Sequence, residues 1–240
     1  MVKFVEEELQ KINNEVLEMW ELAFDQMKNV CDAFFTDDKD KAWEVLIREK
    51  RVNACEIKLD CDIEDFMARF NPVAVDLRFT IAMQKIITDL ERIGDLAENI
   101  ARFIIKHDEE YLDDNLLDKT RIKEMADCVL DMLRMSKSAF ENRDITVAYS
   151  LFEKDNVLDE INSESTDVLT QYVRENNDKL AFCLDFKGVI LRLERVGDHI
   201  TNLAEEVIFY VNAAVLKHTT DKLSKDKILM HKLHGEGKDI

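Results

Sequence analysis

Glycine and proline are almost absent from this sequence, and their scarcity limits the folds open to the chain. Its 240 residues include 5 Gly and 1 Pro, where average usage would supply roughly 29 of the two together. These residues form most tight turns, which β-sandwiches and doubly wound α/β domains need at short intervals. No pair of glycines brackets a phosphate-binding loop of either common type. The composition therefore predicts an all-α chain made of a few long helices.

Six helical segments follow from apolar residues that recur at three- and four-residue steps. They are predicted at about 3–35, 39–69, 72–107, 119–141, 144–175 and 179–214. Asn71 is the expected N-cap of the third helix, with Pro72 at its first position, where a missing N–H costs nothing. Short turns between long helices place neighbours antiparallel, so the chain holds two elongated three-helix bundles. The longest connector, 108–118, is the expected joint between them.

An internal repeat supports this division. Residues 90–101 align with residues 193–204 at an offset of 103, and seven of the twelve positions are identical. The repeat length suits one three-helix bundle. We therefore expect two pseudo-symmetric tandem domains and a short polar, basic segment, with the following ranges: 1–112 for the first bundle, 113–216 for the second and 217–240 for the tail.

The charge and cysteine content bear on partners and compartment. The net charge of -18 is spread over both halves, and such a field repels phosphate backbones and favours cations or basic protein surfaces. Nucleic-acid binding is therefore not expected. No apolar run has the length of a membrane span, and the start of the chain has no signal-peptide core. The 5 cysteines form no C-x-x-C pair, which fits a reduced, cytoplasmic setting.

Acidic and amide side chains recur on one face of four helices, in matching places of the two repeats. In the first repeat they are Glu49, Asn53 and Glu56 on the second helix and Glu91, Asp95 and Asn99 on the third; in the second they are Asp155, Asp159 and Asn162 on the fifth and Glu194, Asp198 and Asn202 on the sixth. Carboxylates four residues apart on a helix repel each other, and a hard cation with oxygen ligands removes that repulsion. The pattern predicts one metal site per bundle, built from two facing helices.

A solvated acidic face is the competing interpretation, because 51 acidic residues produce this spacing often by chance. The duplicated context is what favours a site. Gly94 and Gly197 occupy the same repeat position in mid-helix, where glycine costs about 1 kcal/mol relative to alanine, so a neighbouring helix or an ion should approach closely there. Ferritin-like di-iron chemistry is excluded, since no histidine follows a glutamate by three positions. His199 is either a ligand of the second site or a surface residue.

The doubled Glu-Arg-x-Gly-Asp motif, with the segment that begins Asn71-Pro72-Val73, resembles the PhoU family of phosphate-transport-associated regulators over about residues 1–212. The resemblance implies a cytoplasmic adaptor, not an enzyme, that is a homodimer and acts between the phosphate ABC transporter and a sensor histidine kinase. Such an adaptor represses the phosphate-starvation response when phosphate is plentiful.

The resemblance also implies multinuclear iron or zinc, or another divalent cation. The ligands would map to Glu49, Glu91, Asp95, Asp155, Asp159, Glu194 and Asp198, while Asn53 stands where the family often has a carboxylate. Two alternatives stay open: a metal-dependent hydrolase or oxidase, and a metal-free helical interaction module.

Overall fold

The computed structural model describes residues 2–107 and 113–218, and this part of the chain contains helices and no strand. The helices are, in chain order, α1 (Val2–Thr36), α2 (Lys39–Phe70), α3 (Val75–Lys106), α4 (Asp114–Lys119), α5 (Ile122–Asn142), α6 (Ile145–Glu175) and α7 (Leu180–His218). A short 3-10 turn, Asn177–Lys179, precedes α7. The all-α class and the six long helices are confirmed.

Aspartates begin two of the long helices. The side chain of Asp38 accepts a hydrogen bond from the backbone N–H of Lys41 at 2.9 Å, before the first turn of α2. Asp144 accepts from Thr146 and Val147 in the same way at the start of α6. Each aspartate satisfies backbone donors that have no partner inside the helix. These caps define where the chain turns in the absence of glycine.

The start of the third helix differs from the prediction. Asn71 is not an N-cap but ends α2, in the left-handed conformation (φ 46°, ψ 58°), where its backbone N–H donates to the carbonyl oxygen of Met67. Asparagine tolerates this conformation better than most residues, which suits it to the C-terminal cap. Pro72 cannot continue a helix, and α3 begins only at Val75.

The predicted connector between the repeats contains structure of its own. The short helix α4 places Leu116 in the core at 1% exposure, and α5 begins at Ile122. Residues 108–112 and 219–240 lie outside the described part of the chain. The polar, basic tail and the predicted boundary at 112 therefore stay predictions.

The two repeats pack through α3 and α7, which run antiparallel. Ion pairs mark their register from end to end: Lys85–Glu206 at 2.6 Å, Asp89–His199 at 2.8 Å and Lys106–Asp185 at 2.5 Å.

A shared core lies beneath these ion pairs. The rings of Phe34 (α1), Phe103 (α3) and Phe186 (α7) lie within 6.0–6.3 Å of one another and belong to one cluster that spans both repeats. Helix α2 packs mainly on α1 and α3, and α6 mainly on α5 and α7. The α2/α3 and α6/α7 seams, which carry the acidic residues, therefore lie outside the contact between repeats.

Candidate metal centres

The first acidic seam brings the predicted residues of α2 and α3 together. Glu49 is buried at 6% exposure, and Glu91 and Asp95 are half-buried. Burial, and after it the charges of Asp95, Glu56 and Glu49, together raise the pKa of Glu91 to about 7. The pKa of Glu49 is raised by burial and by its acidic neighbours on α3. The seam therefore holds a cluster of mutually repelling carboxylates, as the sequence predicted, and Glu56 belongs to it.

The second seam repeats the arrangement between α6 and α7. Burial, and after it the charges of Asp159, Asp198 and Glu194, together raise the pKa of Asp155 to about 6. The pKa of Glu194 is raised by burial and by Asp198 and Asp159, while a hydrogen bond from Asn162 opposes the rise. Asp159 and Asp198 are exposed at the rim. All four predicted carboxylates thus share one electrostatic environment.

Two asparagines of the predicted faces do not join their seams. The amide of Asn99 donates back to the carbonyl of Asp95 one turn earlier at 2.8 Å. Asn202 donates at 3.3 Å to Asp89 on α3, across the contact between repeats. Each asparagine lies eight residues after the first glutamate of its face, Glu91 or Glu194. That step turns its side chain away from the seam that the glutamate faces.

Two oxygen atoms of the first seam are buried without a hydrogen-bond partner, namely Oε1 of Glu49 and Oδ1 of Asn53. An unsatisfied buried polar atom costs on the order of 1–3 kcal/mol. Both atoms accept hydrogen bonds and neither donates one, so a cation is a suitable partner. The donor set of carboxylate and amide oxygens is the kind that hard divalent cations prefer.

The carboxylates are close but not gathered around one point. Among residues 2–107 and 113–218, no three His, Cys, Asp or Glu side chains are placed so that they could hold one metal ion. The predicted ligand sets lie on adjacent helix faces, and a cation would have to draw their side chains together. The metal prediction therefore stays a prediction.

Glycine allows close helix packing at both seams. A Cβ at Gly94 would lie 3.2 Å from Cγ1 of Val52 on α2, and one at Gly197 would lie 2.4 Å from both Oδ1 of Asp155 and Cδ1 of Leu158 on α6. The predicted close approach is therefore made by a neighbouring helix. At Gly197 that helix presents one of the candidate ligands.

Lys187 distinguishes the second seam from the first, and it is not among the site residues predicted from the sequence. Its ammonium donates to the carbonyl oxygen and to Oδ1 of Asn162, at 2.6 and 2.7 Å, and to the hydroxyl of Ser165 at 2.8 Å. Burial lowers its pKa, against the effect of Glu194. The signal was present in the sequence, since Lys187 precedes Glu194 by two helical turns and lies on the same face. A built-in cation thus occupies one end of this seam.

His199 is neither a surface residue nor turned toward the second seam. It is buried at 8% exposure, and its Nδ1 lies 2.8 Å from Oδ1 of Asp89. The pair joins α7 to α3. His199 is therefore neither a ligand of the second site nor a surface residue, and its contact with Asp89 links the two repeats.

The fold and its seams define a class: tandem three-helix repeats with an acidic cluster between the last two long helices of each repeat. The family model named PhoU domain matches residues 16–104 and 122–207. The chain belongs to the PhoU family, which confirms the resemblance found in the sequence.

Relatives and solved structures agree. A protein from a Burkholderia species, named phosphate-specific transport system accessory protein PhoU homolog, is 31% identical over 211 residues, which cover 88% of this chain and 90% of that protein. The phosphate-specific transport system accessory protein PhoU of Escherichia coli K12 is 27% identical over 219 residues, which cover 91% of this chain and 90% of that protein. The crystal structure of PhoU from Pseudomonas aeruginosa superposes with a TM-score of 0.82 at 29% identity, over 86% of this chain and 98% of that one.

The helices also bear on membrane insertion. None of those in the described part of the chain carries an apolar stretch of the length that a bilayer requires.

Proposed function

We propose that this protein is an accessory protein of a phosphate-specific transport system and acts by binding other proteins, not by catalysis. The observation that carries the proposal is the match of both repeats to the PhoU domain. The relatives from Burkholderia and Escherichia coli bear that functional name and align over most of their length. A rigid pair of helical bundles with a shared core suits a scaffold.

The mechanism we propose has two partners. The protein docks, as a homodimer in the cytoplasm, on the cytoplasmic faces of the phosphate ABC transporter and of a sensor histidine kinase. The complex holds the phosphate-starvation response off when phosphate is plentiful. The net charge of -18 would favour basic surfaces on those partners and speed their association.

Gene deletion tests this role. Deleting the gene should release alkaline phosphatase synthesis in cells grown at high phosphate, and the wild-type chain supplied in trans should restore repression. Unchanged repression in the deletion strain would count against the proposal. Pull-down with the purified chain then tests the two proposed partners separately, the transporter in one experiment and the kinase in the other. Failure to capture one of them would remove that partner from the proposal.

We also propose that divalent or trivalent cations, iron and zinc among them, bind at the two acidic seams. The residues that would hold them are Glu49, Glu91 and Asp95 in the first seam, and Asp155, Asp159, Glu194 and Asp198 in the second. A bound cation would neutralise the repelling carboxylates and tie the two helices of each seam together. The unpartnered oxygens of Glu49 and Asn53 support the first site, and the ammonium of Lys187 predicts a weaker second site.

Metal analysis of tag-free protein, with thermal unfolding in added Mn²⁺, Zn²⁺ or Fe²⁺, tests this proposal. The double variant Glu91→Ala/Asp95→Ala should lose most of the metal and of the rise in Tm. Glu194→Ala/Asp198→Ala should lose less. A matched control, Glu21→Ala/Asp25→Ala, removes two exposed carboxylates at the same spacing from α1, together with the Glu21–Lys137 ion pair. It should keep the parent's metal content and the parent's rise in Tm on metal addition. Equal metal content in all four proteins would rule the seams out.

A further inference from the structure

Helix α2 exposes large apolar side chains to solvent on the face that points away from the core. Trp43 is 53% exposed, Ile47 is 68% exposed and Ile57 is 63% exposed. They belong to a row that we call the α2 stripe, whose members are Trp43, Ile47, Lys50, Ala54, Ile57 and Cys61, all of them exposed. Isolated surface hydrophobics need no explanation, but five apolar side chains aligned on one helix face, interrupted only by Lys50, indicate an interaction surface.

The spacing along the α2 stripe is that of a helix–helix seam. Its members follow one another at steps of four, three, four, three and four residues, so positions 47, 54 and 61 and positions 43, 50 and 57 each recur every seven residues. A seven-residue period on one helix face is the pattern that packs against another helix. The small side chains of Ala54 and Cys61 leave room beside the large ones for knobs from a partner. The stripe is roughly 27 Å long at the α-helical rise.

The α2 stripe is bordered by positive charge, on a molecule whose net charge is -18. Arg48, Lys50, Arg51 and Lys58 are all exposed along it. Arg48 pairs with Glu44 at 3.3 Å and Lys58 with Glu15 at 2.7 Å. Within the described residues, Lys50 and Arg51 make no ion pair. Lys50 within the stripe and Arg51 beside it would complement carboxylates that lie beside an apolar row on a partner helix.

The second repeat shows that the fold does not require such a face. At the offset of 106 that relates α2 to α6, the matching positions hold Tyr149, Glu153, Asn156, Glu160, Ser163 and Asp167. Only Tyr149, at 39% exposure, is a large exposed hydrophobic among them. The corresponding face of α6 is thus an ordinary solvated one, and the apolar and basic character of the α2 face is not repeated there.

We propose that the α2 stripe is the docking site for an amphipathic helix of another protein, one with apolar residues at heptad spacing and Asp or Glu beside them. Pairing of two stripes from two copies of this chain fits less well, because it sets Lys50 and Arg51 of one copy against those of the other. An anionic bilayer fits less well too, since the row is narrow and the rest of the molecule is acidic. The proposal rests on α2 itself and goes beyond the proposed phosphate role.

Fluorescence provides the assay, because the chain has 2 tryptophans in opposite environments. Trp20 is fully buried and Trp43 is exposed, so acrylamide quenches mainly Trp43. The probe is a synthetic three-heptad peptide with Leu at the seam positions and Glu at the flanking ones, and its counterpart carries Lys for Glu. The Glu peptide should protect Trp43 from quenching, and its binding, followed by anisotropy of a label, should weaken as salt is added.

Variants assign the binding to the stripe. Ile57→Ala should weaken binding of the Glu peptide about tenfold, the loss expected for one well-packed anchor. Lys50→Glu/Arg51→Glu should weaken the Glu peptide similarly and strengthen the Lys peptide. The matched control in the second repeat, Tyr149→Ala, should change neither. These surface variants should keep the Tm of the parent, which separates lost docking from lost folding.

Four outcomes would overturn the proposal. The first is that about 1 mM Glu peptide, a concentration that corresponds to only about -4 kcal/mol of binding, does not protect Trp43, and the second is that the Glu and Lys peptides bind with equal affinity. The third is that phosphatidylglycerol vesicles protect Trp43 and the peptide does not. The fourth is self-association, measured by sedimentation, that protects Trp43 and is abolished by Ile57→Ala. Repression of alkaline phosphatase is measured separately, so failure of docking is distinguishable from failure of the proposed function.

Discussion

Replacing Gly197 by alanine is the sharpest test of how the seams are built. The described glycines, Gly94, Gly188 and Gly197, lie in helices and none has a positive φ. Alanine is therefore compatible with the backbone at all three, and in mid-helix it should gain about 1 kcal/mol from helix propensity alone. Any departure from that gain must come from the space around the new Cβ. The three sites thus differ in the space available around the new Cβ.

The structure gives that variable at each position. At Gly188 the nearest atom to the new Cβ is a terminal nitrogen of Arg192, 2.7 Å away, and this long side chain on the same helix can swing aside. At Gly94 the contact is Cγ1 of Val52 at 3.2 Å, which needs a small adjustment. At Gly197 two side chains of α6 lie 2.4 Å away, and one of them, Leu158, is fully buried. Overpacking of a core costs about 1–3 kcal/mol.

We therefore expect three different outcomes from one substitution. Gly188→Ala should stabilise the protein by up to about 1 kcal/mol, Gly94→Ala should lie within about 0.5 kcal/mol of the parent, and Gly197→Ala should destabilise it by up to about 2 kcal/mol. For a chain of this size 1 kcal/mol corresponds to about 2–4 °C in Tm. Urea unfolding followed by circular dichroism, with thermal melts in parallel, measures all three.

A double-mutant cycle checks the mechanism. If the clash with Leu158 causes the loss, then Gly197→Ala should cost less in a Leu158→Ala background, where the space is open. The reasoning is refuted if Gly197→Ala stabilises the protein as much as Gly188→Ala does, or if its cost is unchanged by Leu158→Ala.

Three further predictions concern single contacts. The pKa of Glu91 is raised in the folded state from 4.5 to about 7, so this residue lowers the free energy of unfolding as pH rises from about 4.5 to about 7. Glu91→Gln should therefore raise the free energy of unfolding relative to the parent at about pH 8 but not at about pH 5. An equal difference between variant and parent at both pH values would contradict this pH dependence. Asp89→Ala should cost about 1–3 kcal/mol in urea unfolding, because it leaves the buried ring of His199 without its acceptor, whereas Asp89→Asn, which keeps an oxygen there, should cost less. Asn71→Gly should be neutral within a few tenths of a kcal/mol and Asn71→Val should lose about 1–2 kcal/mol, since φ is 46°; equal Tm values for the two would refute the capping role.

The candidate sites show where sequence patterns lose precision. Glu91 and Asp95 are four residues apart and point into the same seam, because one helical turn returns a side chain to nearly the same face. Asn99 and Asn202 extend the pattern by another turn, but each finds a hydrogen bond elsewhere. Lys187 was overlooked because a lysine in a charged helix is usually solvated. Only the packing of α6 on α7 shows that its ammonium is part-buried and hydrogen-bonded to Asn162 and Ser165.

Local chemistry at the start of α3 was misread for a related reason. Asn71 before Pro72 suits a helix start and a helix end equally well, since asparagine caps both. The choice depended on whether the preceding helix reaches Phe70, which it does. His199 was likewise ambiguous until α3 supplied Asp89 as its partner.

The sequence by itself determined the all-α class, the six long helices, the repeat and the acidic character of both seams. Those features follow from residue composition and helical periodicity, which are local and additive along the chain. The tertiary structure decided which side chains are paired, buried or exposed: the unpartnered oxygens of Glu49 and Asn53, the part-buried, hydrogen-bonded ammonium of Lys187 and the exposed stripe on α2. Those depend on which helices meet and at what register, and no property of one helix alone specifies its neighbour.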